Sequence, residues 1–155
     1  MARRKRPERR EILPDPVHGS LLAAKFINNI MKNGKRGTAE RIFYSALEQM
    51  EKKTGDDGIE IFEKAIENAS PILEVKSKRI GGATYQVPVE VSKDRKKALA
   101  MRWLISAAKG HGGRPMSERL ADEFLAASKG DGGAVRKKEE VHRMAEANRA
   151  FAHFR

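Results

Sequence analysis

The spacing of apolar residues constrains the fold of this chain more than any other feature of its sequence. Along most of the chain apolar side chains recur at steps of three and four, which places them on one face of an α-helix. Between residues 72 and 91 the spacing changes to two, and β-branched and aromatic residues surround a glycine pair. The pattern predicts a mainly α fold in which one two-stranded β-hairpin interrupts a series of helices.

Capping and turn signals divide the helical pattern into six segments. Ser20 is expected to cap the first helix, which stops at Asn33-Gly34, and Thr38 is expected to cap the second, which ends at Gly55. The six helices are predicted at about residues 21–32, 38–54, 58–69, 93–109, 117–128 and 135–150. The hairpin at 72–91 therefore lies between the third and fourth helices of a single helical domain, predicted at 12–155.

The hairpin is predicted to project from the helices. Gly81 and Gly82 can adopt the positive φ angles that a tight turn requires. Pro88 cannot donate a hydrogen bond to a neighbouring strand, so its strand is expected at an edge. No second sheet layer is predicted, and arms of eight or so residues at about 3.3 Å each would reach on the order of 25 Å.

Excess positive charge indicates the class of partner. The chain has 32 Lys and Arg against 21 Asp and Glu, a formal charge of +11, which in a compact fold most often serves a polyanion. A membrane partner is not expected, since the mean hydropathy is −0.64 and no apolar run approaches the ~18 residues of a spanning helix. The charged N-terminus leads into no apolar signal region, so a cytosolic or organellar location is expected.

The cations form clusters, whereas the second and third helices together carry more acidic than basic residues. Residues 1–11 lack apolar periodicity and are predicted to be a basic arm that orders on its partner. Clusters at helix starts oppose the helix dipole, which favours negative charge there, so phosphates would supply the countercharge. Each cluster by itself also fits a solvated surface. The alternative for Tyr85, the one aromatic candidate, is a buried position in the core. The candidate nucleic-acid-binding residues are Arg3, Arg4, Lys5, Arg6, Arg9 and Arg10 in the arm, Lys32, Lys35 and Arg36 after the first helix, Lys76, Lys78, Arg79 and Tyr85 in the hairpin, Lys93, Arg95, Lys96 and Lys97 in the fourth helix, and Arg136, Lys137 and Lys138 in the sixth.

Catalytic, metal and cofactor motifs are not found. The absence of cysteine excludes disulfides, thiolate catalysis and sulfur-ligated zinc. Gly34-Lys35 resembles the end of a phosphate-binding loop, but Asn29 and Arg36 occupy its required glycine and hydroxyl positions. No catalytic residue, cofactor or small-molecule substrate is therefore predicted. The competing classes are an architectural DNA-binding protein and, less supported, an RNA hydrolase or methyltransferase.

Three long motifs resemble small-subunit ribosomal protein seven of the bacterial type. The first runs from Ser20 to Ala46 and includes Leu22, Phe26, Ile27, Gly34-Lys35-Arg36, Ile42 and Phe43. The second is EVKSKRIGGATYQVPVEV from residue 74, and the third is GGAVRKKEEVHRMAEANRAFAHFR from residue 132. The motifs occur in the same order as in that family, and the similarity spans the whole chain.

The resemblance implies a six-helix domain with an extended hairpin, in a cytoplasmic structural protein of the small ribosomal subunit that is not an enzyme. It implies early binding to the 3′ major domain of 16S ribosomal RNA, assembly of the head, and contacts with small-subunit ribosomal proteins nine and eleven. The basic clusters would face the RNA, and the hairpin tip at Gly81-Gly82 would approach exit-site tRNA near the messenger path. The glycine-rich loop from Gly110 to Pro115 departs from the family pattern.

Overall fold

The computed structural model describes residues 10–154, and its elements follow the predicted order. The mainly α fold with a hairpin between the third and fourth helices is confirmed. A 3-10 helix follows the last α-helix. Five of the six candidate RNA-binding residues in the predicted arm, Arg3, Arg4, Lys5, Arg6 and Arg9, lie outside the described residues. The elements are α1 (Leu21–Ile30), α2 (Arg36–Thr54), α3 (Gly58–Ala69), β1 (Leu73–Ile80), β2 (Ala83–Glu90), α4 (Lys93–Gly110), α5 (Met116–Ser128), α6 (Gly133–Ala147) and the 3-10 helix (Arg149–Phe154).

Local signals explain the ends of the first three helices. The amide of Ala23 donates to the Ser20 hydroxyl at 3.3 Å, so Ser20 caps α1 as predicted. Gly55 ends α2 with a φ of 81°, a left-handed conformation that costs glycine little. The amide of Ile59 donates to the Asp57 carboxylate at 3.0 Å and begins α3.

The predicted cap at Thr38 is wrong, because α2 begins at Arg36 with Lys35 in the cap position. Asn33 and Gly34 both adopt positive φ, 53° and 73°. These two residues complete the reversal between α1 and α2, so the second helix can start before Thr38.

The sixth helix is shorter than the predicted segment to about residue 150. It ends at Ala147, where the Asn148 side chain donates to the Met144 carbonyl at 2.7 Å. The chain then continues as the 3-10 helix, which has fewer residues per turn than an α-helix.

Four phenylalanine rings form the centre of the core. Phe26, Phe43, Phe62 and Phe124 come from α1, α2, α3 and α5, and all four are fully buried. The Phe62 ring lies 5.2 Å from Phe26 and Phe43 and 5.3 Å from Phe124, each nearly edge to face. This geometry directs the positive edge of one ring toward the negative face of another. Phe62 therefore connects four of the six helices, and α4 packs on the same core through Met101 and other apolar residues.

The segment before α1 is tied to α2 by a buried carboxylate. Asp15 is only 1% exposed and accepts hydrogen bonds from the Tyr44 hydroxyl at 2.5 Å and the His18 amide at 3.0 Å. Burial and the bond to Asp15 raise the pKa of Tyr44, which keeps its hydroxyl protonated as a donor. The segment from Asp15 to Ser20 is thereby fixed against α2.

The hairpin has the predicted turn. β1 and β2 pair antiparallel from Leu73 opposite Glu90 to Ile80 opposite Ala83, and Gly81 and Gly82 form the turn with positive φ. The sheet formed by the described residues has two strands, so the prediction of an edge strand is confirmed.

The 3-10 helix packs on the hairpin, a contact that the sequence analysis missed. The Tyr85 ring lies 5.3 Å from Phe151 and 5.1 Å from Phe154. The Lys78 ammonium donates to the Phe154 carbonyl at 2.7 Å. The hairpin is therefore supported along part of its length, while its tip at residues 81–84 is exposed.

Replacing Phe62 with alanine tests the aromatic centre. Because this ring contacts three others in a fully buried site, Phe62→Ala should lower the free energy of unfolding by about 3–5 kcal/mol. Urea denaturation followed by circular dichroism measures it. Leu13→Ala is the matched control, since Leu13 is 82% exposed. A loss for Phe62→Ala as small as that of the control would contradict the central role of the ring.

Candidate nucleic-acid interface

A continuous basic surface follows α1 and α4. Four depressions succeed one another along it, and neighbours share residues: Lys25 and Lys97 line the first two, Asn29 joins the second to the third, and Lys109 joins the third to the fourth. We name this surface the α1/α4 face. Its basic residues are Arg10, Lys25, Lys32, Lys35, Lys93, Lys96, Lys97, Arg102, Lys109 and Arg119.

Helical spacing explains part of this arrangement. On α1, Lys25 and Asn29 are one turn apart, whereas Lys32 follows after the helix has ended. On α4, Arg102 and Lys109 are seven residues apart and share one side of the helix, roughly 120–140° around it from Lys97. Lys25, Arg102 and Lys109 were not predicted from the sequence, although the steps from Lys25 to Asn29 and from Arg102 to Lys109 were signals that could have found them.

The cations of this face are largely without internal countercharge. Within residues 10–154, no ion pair holds Lys32, Lys35, Lys93, Lys96 or Lys97. Some acidic residues line one end of the face, so it is not uniformly positive. Unpaired ammonium groups in water keep small anions nearby, which a phosphate backbone would displace.

Other predicted cations are held by the chain itself. Exposed pairs of this kind contribute little stability, so they can exchange one partner for another at small cost. The internal partners are Glu40 for Arg36, Glu74 for Lys76 and Arg95, the Phe154 carbonyl for Lys78, Asp131 for Arg136, Glu140 for Lys137 and the Asn68 carbonyl for Lys138.

The ion pair of Glu74 with Arg95 joins the hairpin to α4. Unlike the exposed pairs, it includes a buried carboxylate. Glu74 is 7% exposed, and the Arg95 Nε donates to both of its oxygens at 2.8 Å. A second Arg95 nitrogen lies 2.8 Å from Oε2, and the Lys76 ammonium lies 3.2 Å from Oε1. Arg95 therefore fixes the root of β1 against the start of α4, beside the predicted RNA-binding lysines.

His142 makes a second joint at the same end of the hairpin. The Ile72 amide donates to Nε2 of His142 at 3.0 Å, which links the start of β1 to α6. The acceptor must be unprotonated, so the imidazole is neutral with its proton on Nδ1. Burial lowers the pKa of His142, and the nearby positive charge of Lys138 lowers it further.

The outer part of the hairpin carries the remaining candidates. Arg79 is exposed and has no ion pair in the part of the chain that the structure describes, and the tip residues Gly81 and Gly82 are exposed as well. The Tyr85 ring is half-buried against the 3-10 helix, which gives it a packing role within the chain. Its stacking on a nucleic-acid base stays a prediction.

The glycine-rich loop after α4 is held by two arginines. A guanidinium nitrogen of Arg114 lies 2.7 Å from Asp122, and Arg119 donates to the His111 carbonyl at 2.5 Å. These bonds fix the loop between α4 and α5 at the end of the α1/α4 face.

Two other kinds of site were sought among residues 10–154. These residues contain no group of three or more His, Cys, Asp or Glu that could hold a metal ion. Their helices include none with the length and apolar character needed to cross a membrane.

Comparison with known proteins gives a consistent answer along the whole chain. The family model of ribosomal protein S7p/S5e matches residues 2–149. The chain is 59% identical to small ribosomal subunit protein uS7 of Oleidesulfovibrio alaskensis, over 95% of this chain and 94% of that one. It is 55% identical to the uS7 protein of an Anaeromyxobacter species and 59% identical to that of Neisseria meningitidis, in both cases over 100% of this chain and 99% of the relative.

A double-mutant cycle of Glu74→Gln and Arg95→Gln tests the hairpin joint. We expect a coupling of about 1–2 kcal/mol, because the carboxylate is buried while Arg95 is half exposed. The coupling is measured by urea denaturation of the four proteins. The exposed pair Lys137 and Glu140 is the control, with an expected coupling of about 0.2–0.5 kcal/mol. Equal coupling energies for both pairs would show that Glu74 and Arg95 hold the hairpin no more strongly than an exposed ion pair would.

Acidification tests the His142 joint. The folded state holds this imidazole neutral with a lowered pKa, so its stabilising contribution is complete above the unfolded pKa of about 6.5 and is lost as pH falls through the folded pKa. His142→Gln should therefore cost stability at pH 7.5 and progressively less toward pH 5. The free energy of unfolding of both proteins across this range measures it. A cost that is independent of pH would contradict the proposed bond.

Proposed function

This chain belongs to the ribosomal protein S7p/S5e family, and we propose that it binds the 3′ major domain of 16S ribosomal RNA and nucleates assembly of the subunit head. As a member of this family it is a structural constituent of the small ribosomal subunit rather than an enzyme. The observation that carries the RNA-binding proposal is the α1/α4 face, whose lysines have no ion pair within residues 10–154. The candidate residues of the face and of the hairpin are assigned to RNA contact on this basis.

The binding mechanism follows from the charges. Lysines of the α1/α4 face displace counterions from clustered phosphates, and the entropy of the released ions favours the complex. Because the face lies on two helices held by one core, its charges keep their spacing before the RNA arrives. Folded RNA with phosphates at a matching spacing is bound in preference to a flexible strand.

The head-assembly role rests on the same rigidity. A protein that is already folded presents a fixed surface, so the RNA segments that contact it are held in one relative arrangement. The cations that pair exposed carboxylates, such as Arg136 and Lys137, can exchange those partners for phosphates as the RNA closes on them. The predicted basic arm adds further phosphate contacts next to Arg10.

The hairpin is assigned to the neighbourhood of exit-site tRNA and the messenger path. Its root is fixed by Glu74 and His142, while Gly81 and Gly82 at the tip are exposed and available for contact. Contacts with small-subunit ribosomal proteins nine and eleven are also proposed. Exposed apolar side chains, Ile72 at the hairpin root with 60% exposure and Met144 on α6 with 41%, are suitable for such protein contacts.

The alternative function is that of an architectural DNA-binding protein. Binding experiments distinguish it from ribosomal RNA binding. Such a protein would bind generic duplex DNA as tightly as the ribosomal RNA fragment. The hairpin tip, with Gly81 and Gly82, lacks the apolar wedge with which minor-groove proteins part base steps.

Charge removal with matched variants tests the RNA interface. Lys93→Gln with Lys97→Gln should weaken binding to the 3′ major domain fragment and flatten the slope of log K against log salt by roughly 1.4–1.8. The physical reason is the loss of about two phosphate contacts. Lys52→Gln with Lys64→Gln, on α2 and α3 outside the α1/α4 face, removes the same charge and should leave the slope unchanged.

Filter binding between 50 and 200 mM salt measures both variants. The wild-type slope is expected at about −6 to −7 if roughly eight phosphates are neutralised. A wild-type slope near zero, or equal effects of the two double variants, would overturn the assignment of the α1/α4 face.

A further inference from the structure

The first turn of α6 lacks the side chains that commonly stabilise the start of a helix. Its cap residue is Gly132, which has no side chain to accept a hydrogen bond, and the turn contains no acidic residue. The α6 basic cluster, Arg136, Lys137 and Lys138, follows directly, and cations there oppose the helix dipole. The first amides of a helix have no acceptor within it, so this turn needs one from elsewhere.

A buried carboxylate on another helix supplies that acceptor. Glu123 on α5 is 3% exposed, and its Oε1 accepts from the buried amide of Ala134 at 2.8 Å. Its negative charge also lies at the positive end of the α6 dipole, where an anion is stabilised. Burial of a carboxylate costs free energy unless it is paired or hydrogen-bonded, so Glu123 and the start of α6 stabilise each other.

Two glycines let α6 approach this carboxylate. A Cβ atom at Gly132 would lie 2.9 Å from Oε1 of Glu123, and one at Gly133 would lie 2.8 Å from the Cβ atom of Ala107 on α4. Non-bonded carbon atoms in contact are about 3.5–4.0 Å apart, so a side chain at either position would push α6 away from its neighbours. The Ala134 amide would then move out of reach of Glu123.

A second polar neighbour of Glu123 is His111, in the glycine-rich loop. Its Nε2 lies 3.9 Å from Oε2, and its side chain is 59% exposed. An ion pair at this distance forms only with a protonated imidazole, and surrounding water screens it. The shorter bond to the buried Ala134 amide is therefore the stronger interaction of this carboxylate.

We propose that Glu123 is the positioning residue of the α6 basic cluster. It keeps the first turn of α6 helical, so the cluster meets the RNA with its charges at a fixed spacing. Lys138 depends on the same turn, since its ammonium donates to the Asn68 carbonyl on α3 at 2.6 Å. If the turn frayed, its backbone would have to be ordered when RNA binds, at a cost in affinity. The inference rests on the proposed RNA binding and adds to it a buried residue that acts through others.

A purely electrostatic role is the competing explanation. Glu123 carries a negative charge close to the cluster, and negative charge opposes binding to a polyanion. If charge alone mattered, every neutral substitution of Glu123 would strengthen RNA binding. The positioning role predicts weaker binding for a neutral residue that cannot accept the hydrogen bond.

Two neutral substitutions separate the hydrogen bond from the charge. Glu123→Gln removes the charge and retains an oxygen that can accept from the Ala134 amide. Glu123→Met removes the same charge and has a side chain of similar length, but its thioether is only a weak acceptor. The two variants have equal net charge, so a difference between them reports on the acceptor. Circular dichroism verifies folding, and Glu123→Ala replaces Glu123→Met if the thioether cannot be packed.

Amide hydrogen exchange followed by NMR is the first readout, and it needs no RNA. The Ala134 amide should exchange slowly in the wild-type protein and in Glu123→Gln, and about tenfold faster or more in Glu123→Met. The amide of Phe43 in the core is the internal control and should exchange alike in all three proteins. Fast exchange at Ala134 in the wild-type protein, or equal exchange in the two variants, overturns the cap.

Filter binding of the 3′ major domain fragment is the second readout. Glu123→Gln should bind the RNA at least as tightly as the wild type does, whereas Glu123→Met should bind about tenfold more weakly than Glu123→Gln. The slope of log K against log salt should be the same for both variants, because they carry the same cations.

The outcomes separate this inference from the proposed function. Equal RNA binding by the two variants, with different exchange at Ala134, overturns the positioning of the cluster and leaves Glu123 as a local cap. Tighter binding by both variants supports the electrostatic explanation and overturns the inference as well. Failure of the wild-type protein to bind the RNA fragment overturns the proposed function itself, while the exchange experiment still decides whether Glu123 caps α6.

Discussion

The edge-to-face contacts of Phe62 with three other phenylalanine rings are the interaction on which the remaining structure depends. They join α1, α2, α3 and α5 at one point, and a chain without cysteine, and hence without disulfides, has to gain its stability from such packing. The α1/α4 face is the outer side of this core, since Phe26 on α1 and Met101 on α4 point inward from the same helices. Repulsion between its lysines therefore acts against helices that are already fixed, and the charges keep their positions.

The structure divides the basic residues into two groups that the sequence presents as one. Arg95 and Lys97 are two positions apart in α4. Arg95 forms an ion pair with the buried Glu74, whereas Lys97 has no carboxylate partner among the described residues. The first orders the hairpin against the helices, and the second is available to phosphates. A substitution at either position removes one positive charge, but the physical consequences differ because only one of them leaves a buried carboxylate without its partner.

The parts of the fold that depend on local chemistry were predictable. Apolar periodicity gave the helices, and the glycine pair gave the hairpin turn, because both are determined by residues close together in the chain. The start of α2 was mispredicted, since the positive φ of Asn33 carried the reversal and no hydroxyl cap was needed. The contact of Tyr85 with Phe151 and the depression beside Lys109 join distant segments, and no pattern within one segment encodes them.

The hairpin is held at two levels, at its root and part-way along its length. At the root, Arg95 on α4 and His142 on α6 both hold the start of β1. Further out, Tyr85 and Lys78 contact the 3-10 helix, while the glycine turn has no such attachment within the described chain. Bending is therefore confined to the few residues beyond these contacts, so the tip can be displaced while the helices that hold the root keep their positions.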